Sequence, residues 1–175
     1  GGSFNTAKLN GKFGTGMIGN KFFIEGSGSY ITSEGYVDRA FSRLGSWFFQ
    51  TGYQYKNTLV KALYFGGREK TYQSWDGLPQ DMLATNRTFN SQGTDGGKLS
   101  TPYPNQTDNY GQDYFQLLFA QQLPQHVYLN MGLFATLGRG YYEEYKVGKS
   151  FQDYFPNYDS SITTDIVRQK WLKNI

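Results

Sequence analysis

The chain has 175 residues, a net charge of +3 and no cysteine, and it is rich in tyrosine (15), phenylalanine (14) and glycine (22). The lack of cysteine excludes a disulfide framework and a thiolate metal site, and the small charge gives no argument for a nucleic-acid partner. No run of about eighteen apolar residues occurs, which excludes a transmembrane helix of the usual kind.

The alternation of apolar and polar residues predicts six long strands, in chain order at 3–16, 21–33, 43–56, 58–70, 108–121 and 126–139. Each is longer than the usual strand of roughly 5–6 residues, and each could cross a membrane, which takes roughly 9–11 tilted residues. The segment 164–172 could form a short helix or begin a further strand, and the sequence leaves both open.

The third strand alternates most clearly. One face carries Trp47, Phe49, Thr51, Tyr53 and Tyr55, and the other carries Phe48, Gln50, Gly52, Gln54 and Lys56. At ~3.3 Å per residue and a tilt near ~40°, Trp47 and Tyr55 lie roughly 20 Å apart across a membrane, close to the ~25 Å between the aromatic girdles of a barrel. We expect the first set to face lipid. The sixth strand would likewise direct Leu129, Met131, Leu133, Ala135 and Leu137 towards lipid.

The connections between the strands alternate in length. Short turns are predicted at 17–20, 56–57 and 122–125, whereas long polar segments rich in glycine and tyrosine occupy 34–42, 71–107 and 140–162. Short turns at one end and long loops at the other are typical of outer-membrane barrels, in which the short turns are periplasmic. A structureless loop as long as 71–107 would be unusual inside a small soluble domain.

Together these features predict an all-β fold: an antiparallel meander of about six long strands that forms a partial segment of a transmembrane β-barrel with long extracellular loops. A soluble sandwich with one wet face is the alternative. The first strand runs towards a short turn, whereas a barrel chain normally begins on the periplasmic side. We therefore expect a strand that runs outward from the periplasmic side to precede Gly1, so that 1–175 is one part of a larger barrel domain.

Several runs of the sequence resemble the barrel of TonB-dependent outer-membrane receptors, in particular the siderophore type of Bacteroidetes-like bacteria. The runs are GGSFNT (1–6), GTGMIGNK (14–21), GYVDRA (35–40), KTYQSWDGLP (70–79), TNRTFN (85–90), NQTDNY (105–110) and GYYEEYK (140–146). They span nearly the whole chain. No single run is diagnostic, and the resemblance depends on their order and spacing.

The resemblance implies a parent protein with an N-terminal plug inside a barrel of twenty-two strands and a short box that binds TonB. The plug and the box are not in this sequence, so we expect the chain to cover about a quarter of the barrel. Since the loops of the family vary with the ligand, the resemblance assigns no binding residue position by position.

Arginines and loop aromatics are the candidates for ligand binding. All six arginines fall in predicted loops or at the outer ends of strands: Arg39, Arg43, Arg68, Arg87, Arg139 and Arg168. Arginine binds carboxylate and phosphate bidentately, which suits an anionic ligand such as a ferric siderophore. Pairing with loop carboxylates or with lipopolysaccharide phosphates is the alternative. The aromatic candidates for a binding vestibule, or for simple loop packing, are Tyr36, Tyr72, Trp75, Tyr103, Tyr141 and Tyr142.

The sequence offers little for catalysis. Its one histidine, His126, lies at a predicted short turn, away from the long loops. Neither a nucleophile with its base nor a phosphate-cradling loop is recognisable. We therefore expect no enzymatic activity, no cofactor and no metal site in this chain.

The expected function is uptake of an extracellular ligand, most simply a ferric siderophore, across the bacterial outer membrane with energy coupled through TonB. The expected partners are the TonB complex (through parts outside this chain), outer-membrane lipid and lipopolysaccharide, and the small ligand itself. A passive porin-like barrel and a soluble β-rich glycan-binding module remain as alternatives, and the identity of the ligand stays open.

Overall fold

The computed structural model describes residues 1–157 and 165–174, which form one antiparallel sheet of seven strands. The strands are β1 (Ala7–Gly14), β2 (Phe22–Ser33), β3 (Ser42–Tyr55), β4 (Thr58–Tyr72), β5 (Thr107–Gln122), β6 (Tyr128–Lys146) and β7 (Ile166–Asn174). Three short 3₁₀ turns, at Gln80–Met82, Pro124–His126 and Phe151–Asp153, are the only helical elements in these residues. None of the helices described is long and apolar enough to cross a membrane.

The strands pair in sequence order, so the predicted all-β antiparallel meander is confirmed. β1 pairs only with β2 and β7 only with β6, which leaves the sheet open in the described part of the chain. The number of strands is seven rather than about six. Residues 166–172 of the segment that the sequence left open belong to β7, which pairs with the outer half of β6.

The outer end of β6 is the main correction to the predicted bounds. The sequence predicted a loop from 140, but β6 continues to Lys146, since Gly138 to Lys146 pair along β7. Tyr141 and Tyr142 are therefore strand residues. β1 begins only at Ala7 rather than at position 3, because Phe4 and Asn5 have positive φ angles of 57° and 54°, which break an extended strand.

The connections sort by length as predicted. The short ones, at 15–21, 56–57 and 123–127, lie at one end of the sheet, which we call the short-turn end. The others lie at the opposite, long-loop end: 34–41, 73–106 and the described residues of the β6–β7 connection, 147–157 and 165. The tight β3–β4 turn depends on Lys56, which adopts a φ of 50°.

The two faces of the sheet differ in how many large apolar side chains they expose. The register directs the odd residues of β3, β5, β6 and β7 to the same side as the even residues of β2 and β4, and this side also carries Leu9 and Phe13 of β1. We call it the apolar face. Every exposed large apolar side chain of the strands lies on it except Tyr128, Phe134 and Leu172. The other side, the polar face, includes the hydrogen bond from Gln50 to Glu25 at 2.5 Å.

The sheet has no second layer among the described residues. The main contacts of each strand are with its immediate neighbours, and Tyr72 is the only large hydrophobic side chain that these residues bury. On the apolar face Leu133 is 70% exposed and Leu9 is 74% exposed. A single sheet with an uncovered apolar face is not a stable arrangement in water, because strands are stabilised by burying one face against another layer.

Candidate functional site

The structure distributes the candidate ligand-binding residues over three places. One group forms the packed core of the long loops, a second lies on the apolar face, and a third lies on the polar face. The candidates predicted from sequence were six arginines and six aromatic residues. In the structure, arginines and aromatic residues occur together in each of these places, so residue type does not predict location.

Arg39 and Tyr72 belong to the packed core of the loops. Tyr72 is 4% exposed, and its hydroxyl donates to the carbonyl oxygen of Tyr103 at 2.7 Å. Arg39 donates through Nη2 to the carbonyl oxygen of Asn90 at 2.7 Å and through Nε to the Tyr72 hydroxyl at 3.3 Å. These bonds tie the 34–41 loop to the 73–106 loop. Protein groups engage Nε and Nη2 of Arg39 and the hydroxyl of Tyr72, so a structural role accounts for both side chains.

Tyr103 anchors the 73–106 loop to β6 through Glu143, which is 5% exposed. The Tyr103 hydroxyl donates to Glu143 Oε1 at 2.6 Å, Asn105 Nδ2 donates to the same oxygen at 2.5 Å, and Gln169 Nε2 donates to Oε2 at 2.6 Å. Burial, followed by the neighbouring carboxylate, raises the pKa of Tyr103 to about 12. The phenol therefore stays neutral and remains the donor near neutral pH.

Three arginines lie on the apolar face, at its long-loop end. Arg68 of β4 is opposite Gly45 on one side and Gly111 on the other, and Gly111 is in turn opposite Arg139. Arg43 is paired with Lys70, two positions further towards the loops. We call this group the basic belt: Arg43, Arg68, Lys70 and Arg139.

The side chain of Arg68 contacts residues of both neighbouring strands, β3 and β5. Its Nη2 atom forms an ion pair of 2.6 Å with Asp113 Oδ2, and its guanidinium lies 5.0 Å from the ring centroid of Trp47. Gly111 provides the space for this path, because a Cβ atom there would lie 2.3 Å from Arg68 Cδ. One carboxylate thus neutralises one member of the basic belt.

The other three members of the belt form no ion pair in the described residues, although Asp113 also attracts Arg139 and Glu143 attracts Lys70 at longer range. Lys70 donates to the neutral side chain of Asn105 at 3.0 Å. Arg43 and Arg139 are exposed, and neither has a carboxylate within ion-pair distance among residues 1–157 and 165–174. The guanidinium of Arg43 lies 5.1 Å from the ring centroid of Phe41.

Trp75 and Tyr142 form an aromatic pair on the polar face, at the long-loop end. Their ring centroids are 5.7 Å apart with the planes at 80°. The indole Nε1 atom of Trp75 donates to Asp108 Oδ2 at 3.2 Å, and the ammonium of Lys170 lies 5.8 Å from the Tyr142 ring centroid. Trp75 is 57% exposed. The pair therefore offers an aromatic surface beside both a cation and an anion, which suits stacking on a flat ligand.

The remaining candidates belong neither to the loop core nor to the basic belt nor to the Trp75–Tyr142 pair. Arg87 is exposed in the 73–106 loop and donates to the carbonyl oxygen of Leu83 at 3.0 Å. Arg168 forms an ion pair with Glu144 on the polar face. Tyr36 is 53% exposed and packs edge-on against Phe4, with 5.7 Å between ring centroids. Tyr141 lies on the apolar face beside the basic belt, and its ring packs at a tilt of 35° against Trp171, with 4.5 Å between the ring centroids.

The sequence analysis did not identify Lys70, Asp108 or Lys170 as site residues. Lys70 lies in the same alternating register as Arg68, and this parity was the available signal. Asp108 and Lys170 had no comparable signal, because their place beside Trp75 and Tyr142 depends on the path of the 73–106 loop and on the β6–β7 pairing.

Comparison of the chain with protein-family models, with curated proteins and with solved structures finds no match.

Proposed function

We propose that this chain forms part of the wall of a TonB-dependent receptor in the bacterial outer membrane, which takes up an extracellular ligand such as a ferric siderophore. The observation that carries the proposal is the exposed apolar face of a single-layer sheet. Membrane lipid would cover this face, and no protein layer would be needed there.

The dimensions of the apolar face support a membrane position. On β3 the apolar face begins at Tyr55 and reaches Trp47, eight positions along the strand. With ~3.3 Å per residue and a tilt near ~40°, this is roughly 20 Å along the membrane normal. Arg43 follows four positions further, roughly 10 Å beyond Trp47, where a barrel would meet the lipid headgroups.

The open edges of the sheet support membership of a larger barrel. β1 and β7 each have one side without a paired strand among the described residues. Lipid cannot satisfy the N–H and C=O groups of an open edge, so a spanning sheet must close. Further strands would have to complete the barrel. In that barrel the polar face would line the interior and the long loops would be extracellular.

The Trp75–Tyr142 pair is our candidate for the first contact with the ligand. It lies on the polar face at the long-loop end, where an extracellular ligand would enter. Its exposed indole and the adjacent Lys170 ammonium suit a flat, anionic or aromatic ligand. Of the candidate arginines, those of the basic belt are directed away from this entrance. The proposal assigns binding and transport to the protein and no catalytic step.

The test measures uptake by the whole protein that contains this chain, in cells that lack other receptors. Uptake of a panel of radiolabelled ferric siderophores is compared with and without TonB. We expect uptake of one class of siderophore that is lost without TonB and weakened about tenfold by Trp75→Ala. TonB-independent diffusion of small solutes would instead identify a porin-like barrel. A protein that stays soluble and binds glycans would contradict both.

A further inference from the structure

We propose that the basic belt binds the phosphate groups of a phosphorylated lipid in the outer leaflet, with Arg43, Lys70 and Arg139 as the phosphate-binding side chains. This inference rests on the proposed membrane position of the apolar face, and it names the lipid partner of that face. The occupant is a doubly phosphorylated, multiply acylated lipid.

An excess of positive charge is the first argument. The belt contains four basic side chains on neighbouring positions of one face, and Asp113 pairs with only one of them, Arg68. Glu143, which attracts Lys70, accepts hydrogen bonds from Tyr103, Asn105 and Gln169 and forms no ion pair with the belt in the described residues. Arginine recognises phosphate through two parallel hydrogen bonds, so the exposed guanidinium groups of Arg43 and Arg139 suit a phosphate ligand.

The position of the belt argues for a lipid rather than a free anion. Arg43 lies on the same side of β3 as Trp47, and Arg139 lies on the same side of β6 as Leu137. The belt therefore continues the apolar face directly. Tyr30 and Trp171 flank the belt at the same height and are 47% and 56% exposed. Aromatic side chains beside basic ones are typical of the boundary between acyl chains and headgroups. A bound lipid would place its chains along the apolar face.

The shape of the surface fits a headgroup. Gly45 and Gly111 lie between the basic side chains and leave an open depression of about 470 Å³. Its lining includes the belt, Tyr30, Tyr141, Trp171 and one acidic residue, Glu69. β5 lies between β4 and β6, and its residues opposite the belt on the apolar face are Asn109 and Gly111.

The width of the belt explains why we infer two phosphates. Arg43 and Arg139 are separated by three inter-strand spacings, which is roughly 14 Å. This width leaves room for two phosphate groups side by side, one at each arginine.

The experiment measures lipid binding to the whole folded protein by native mass spectrometry in detergent. The probes are lipid A with two phosphates, lipid A with one phosphate and the same acylated disaccharide with none. We expect affinity to fall in that order and to weaken as salt rises. Arg43→Gln and Arg139→Gln should each weaken binding of the doubly phosphorylated lipid roughly fivefold, and the double variant roughly 25-fold, as expected for basic groups at an anionic lipid surface.

Arg87→Gln is the matched control, because Arg87 is an exposed arginine of the 73–106 loop outside the belt. It should bind lipid as the unmodified protein does. Heat-modifiable migration on gels checks that every variant is folded. Arg68 is left unchanged because its substitution would remove the ion-pair partner of Asp113. Equal binding of all three lipids, or equal losses in the Arg87 and belt variants, would overturn the inference.

A further arm separates lipid from soluble anion. Glucosamine phosphate without acyl chains should bind at least a hundredfold more weakly than the lipid, and equal binding would overturn the lipid assignment. Failure of this inference is distinguishable from failure of the proposed function. A protein that inserts in membranes and imports its ligand, yet shows no preference for phosphorylated lipid, refutes only the inference. A protein that does not insert refutes the proposed function.

Discussion

The hydroxyl of Tyr103 lies 2.6 Å from Oε1 of Glu143, a carboxylate 40 residues further along the chain and almost completely buried. This bond joins the 73–106 loop to the outer end of β6. The same loop carries Trp75 and accepts a hydrogen bond from Tyr72. Its attachment to β6 therefore helps to position Trp75 beside Tyr142. The outer half of the sheet and the long loop therefore form one structural unit.

Removing the Tyr103 hydroxyl should loosen this attachment. A hydrogen bond to a charged group contributes roughly 1.5–3 kcal/mol, and Glu143 retains Asn105 and Gln169 in Tyr103→Phe, so we expect a loss near the lower value. The measurement is the rate of limited proteolysis within 73–106 in the folded protein, which should rise. Tyr36→Phe is the control, since Tyr36 is also a loop tyrosine but is 53% exposed. An unchanged cleavage rate in Tyr103→Phe would contradict this account.

The same contact should respond to alkaline pH. The pKa of Tyr103 is raised from 10.0 to about 12 in the folded protein, so the fold favours the neutral phenol. Its contribution to stability is fully present below pH 10 and is lost as pH rises through about 12. Protection of the loop from a protease active in alkali should decline in that window. The decline should be absent in Tyr103→Phe, and an identical pH profile in the two proteins would refute the assignment.

Charged substitutions on the two faces should differ in cost. Leu133 and Phe134 are adjacent in β6, and both are exposed, at 70% and 82%, but they lie on opposite faces. Leu133→Arg should destabilise the membrane-inserted protein by roughly 2–4 kcal/mol, because it puts a charge into lipid. Phe134→Arg should cost much less. Denaturant titration of the folding equilibrium in vesicles measures both, and equal costs would mean that the faces do not meet different environments.

How far the fold could be predicted from sequence is clearest at β3 and β6. The period-two pattern around Trp47 predicted 43–56, and the strand is Ser42–Tyr55. The outer part of β6, from Gly140 to Lys146, was missed because its glycine, tyrosines and charged residues have the composition of a loop. Those residues are extended because they pair with β7, and a pairing between distant segments leaves no local signal.

The candidate site divides in the same way. Arg43 has the parity of Trp47, and Arg139 has that of Leu137, so the sequence already held the information that these arginines share the apolar face. The Trp75–Tyr142 pair was not predictable, because it depends on how the 73–106 loop folds back on β6. Both residues had been identified by type, but not as neighbours.

The two ends of the sheet should differ in their access from outside the cell. The chain has no cysteine, so single cysteines introduced into the whole protein report only their own position in this chain. Lys98 lies in the 73–106 loop and Asn57 in the tight β3–β4 turn, and both are exposed. In intact cells a membrane-impermeant thiol reagent should label Lys98→Cys and should reach Asn57→Cys only after the outer membrane is broken. Equal labelling in intact cells would contradict the proposed orientation.

The central claim is that lipid covers the apolar face, and a spin-label scan of β6 from Leu129 to Leu137 in vesicles tests it most directly. Each position is measured for collisions with oxygen, which concentrates in lipid, and with a water-soluble nickel complex. The account predicts a period of two, with odd positions such as Leu133 accessible to oxygen and shielded from nickel, and even positions such as Phe134 showing less oxygen contact. Accessibility to nickel at Leu133 equal to that at a loop position such as Lys98 would contradict the claim.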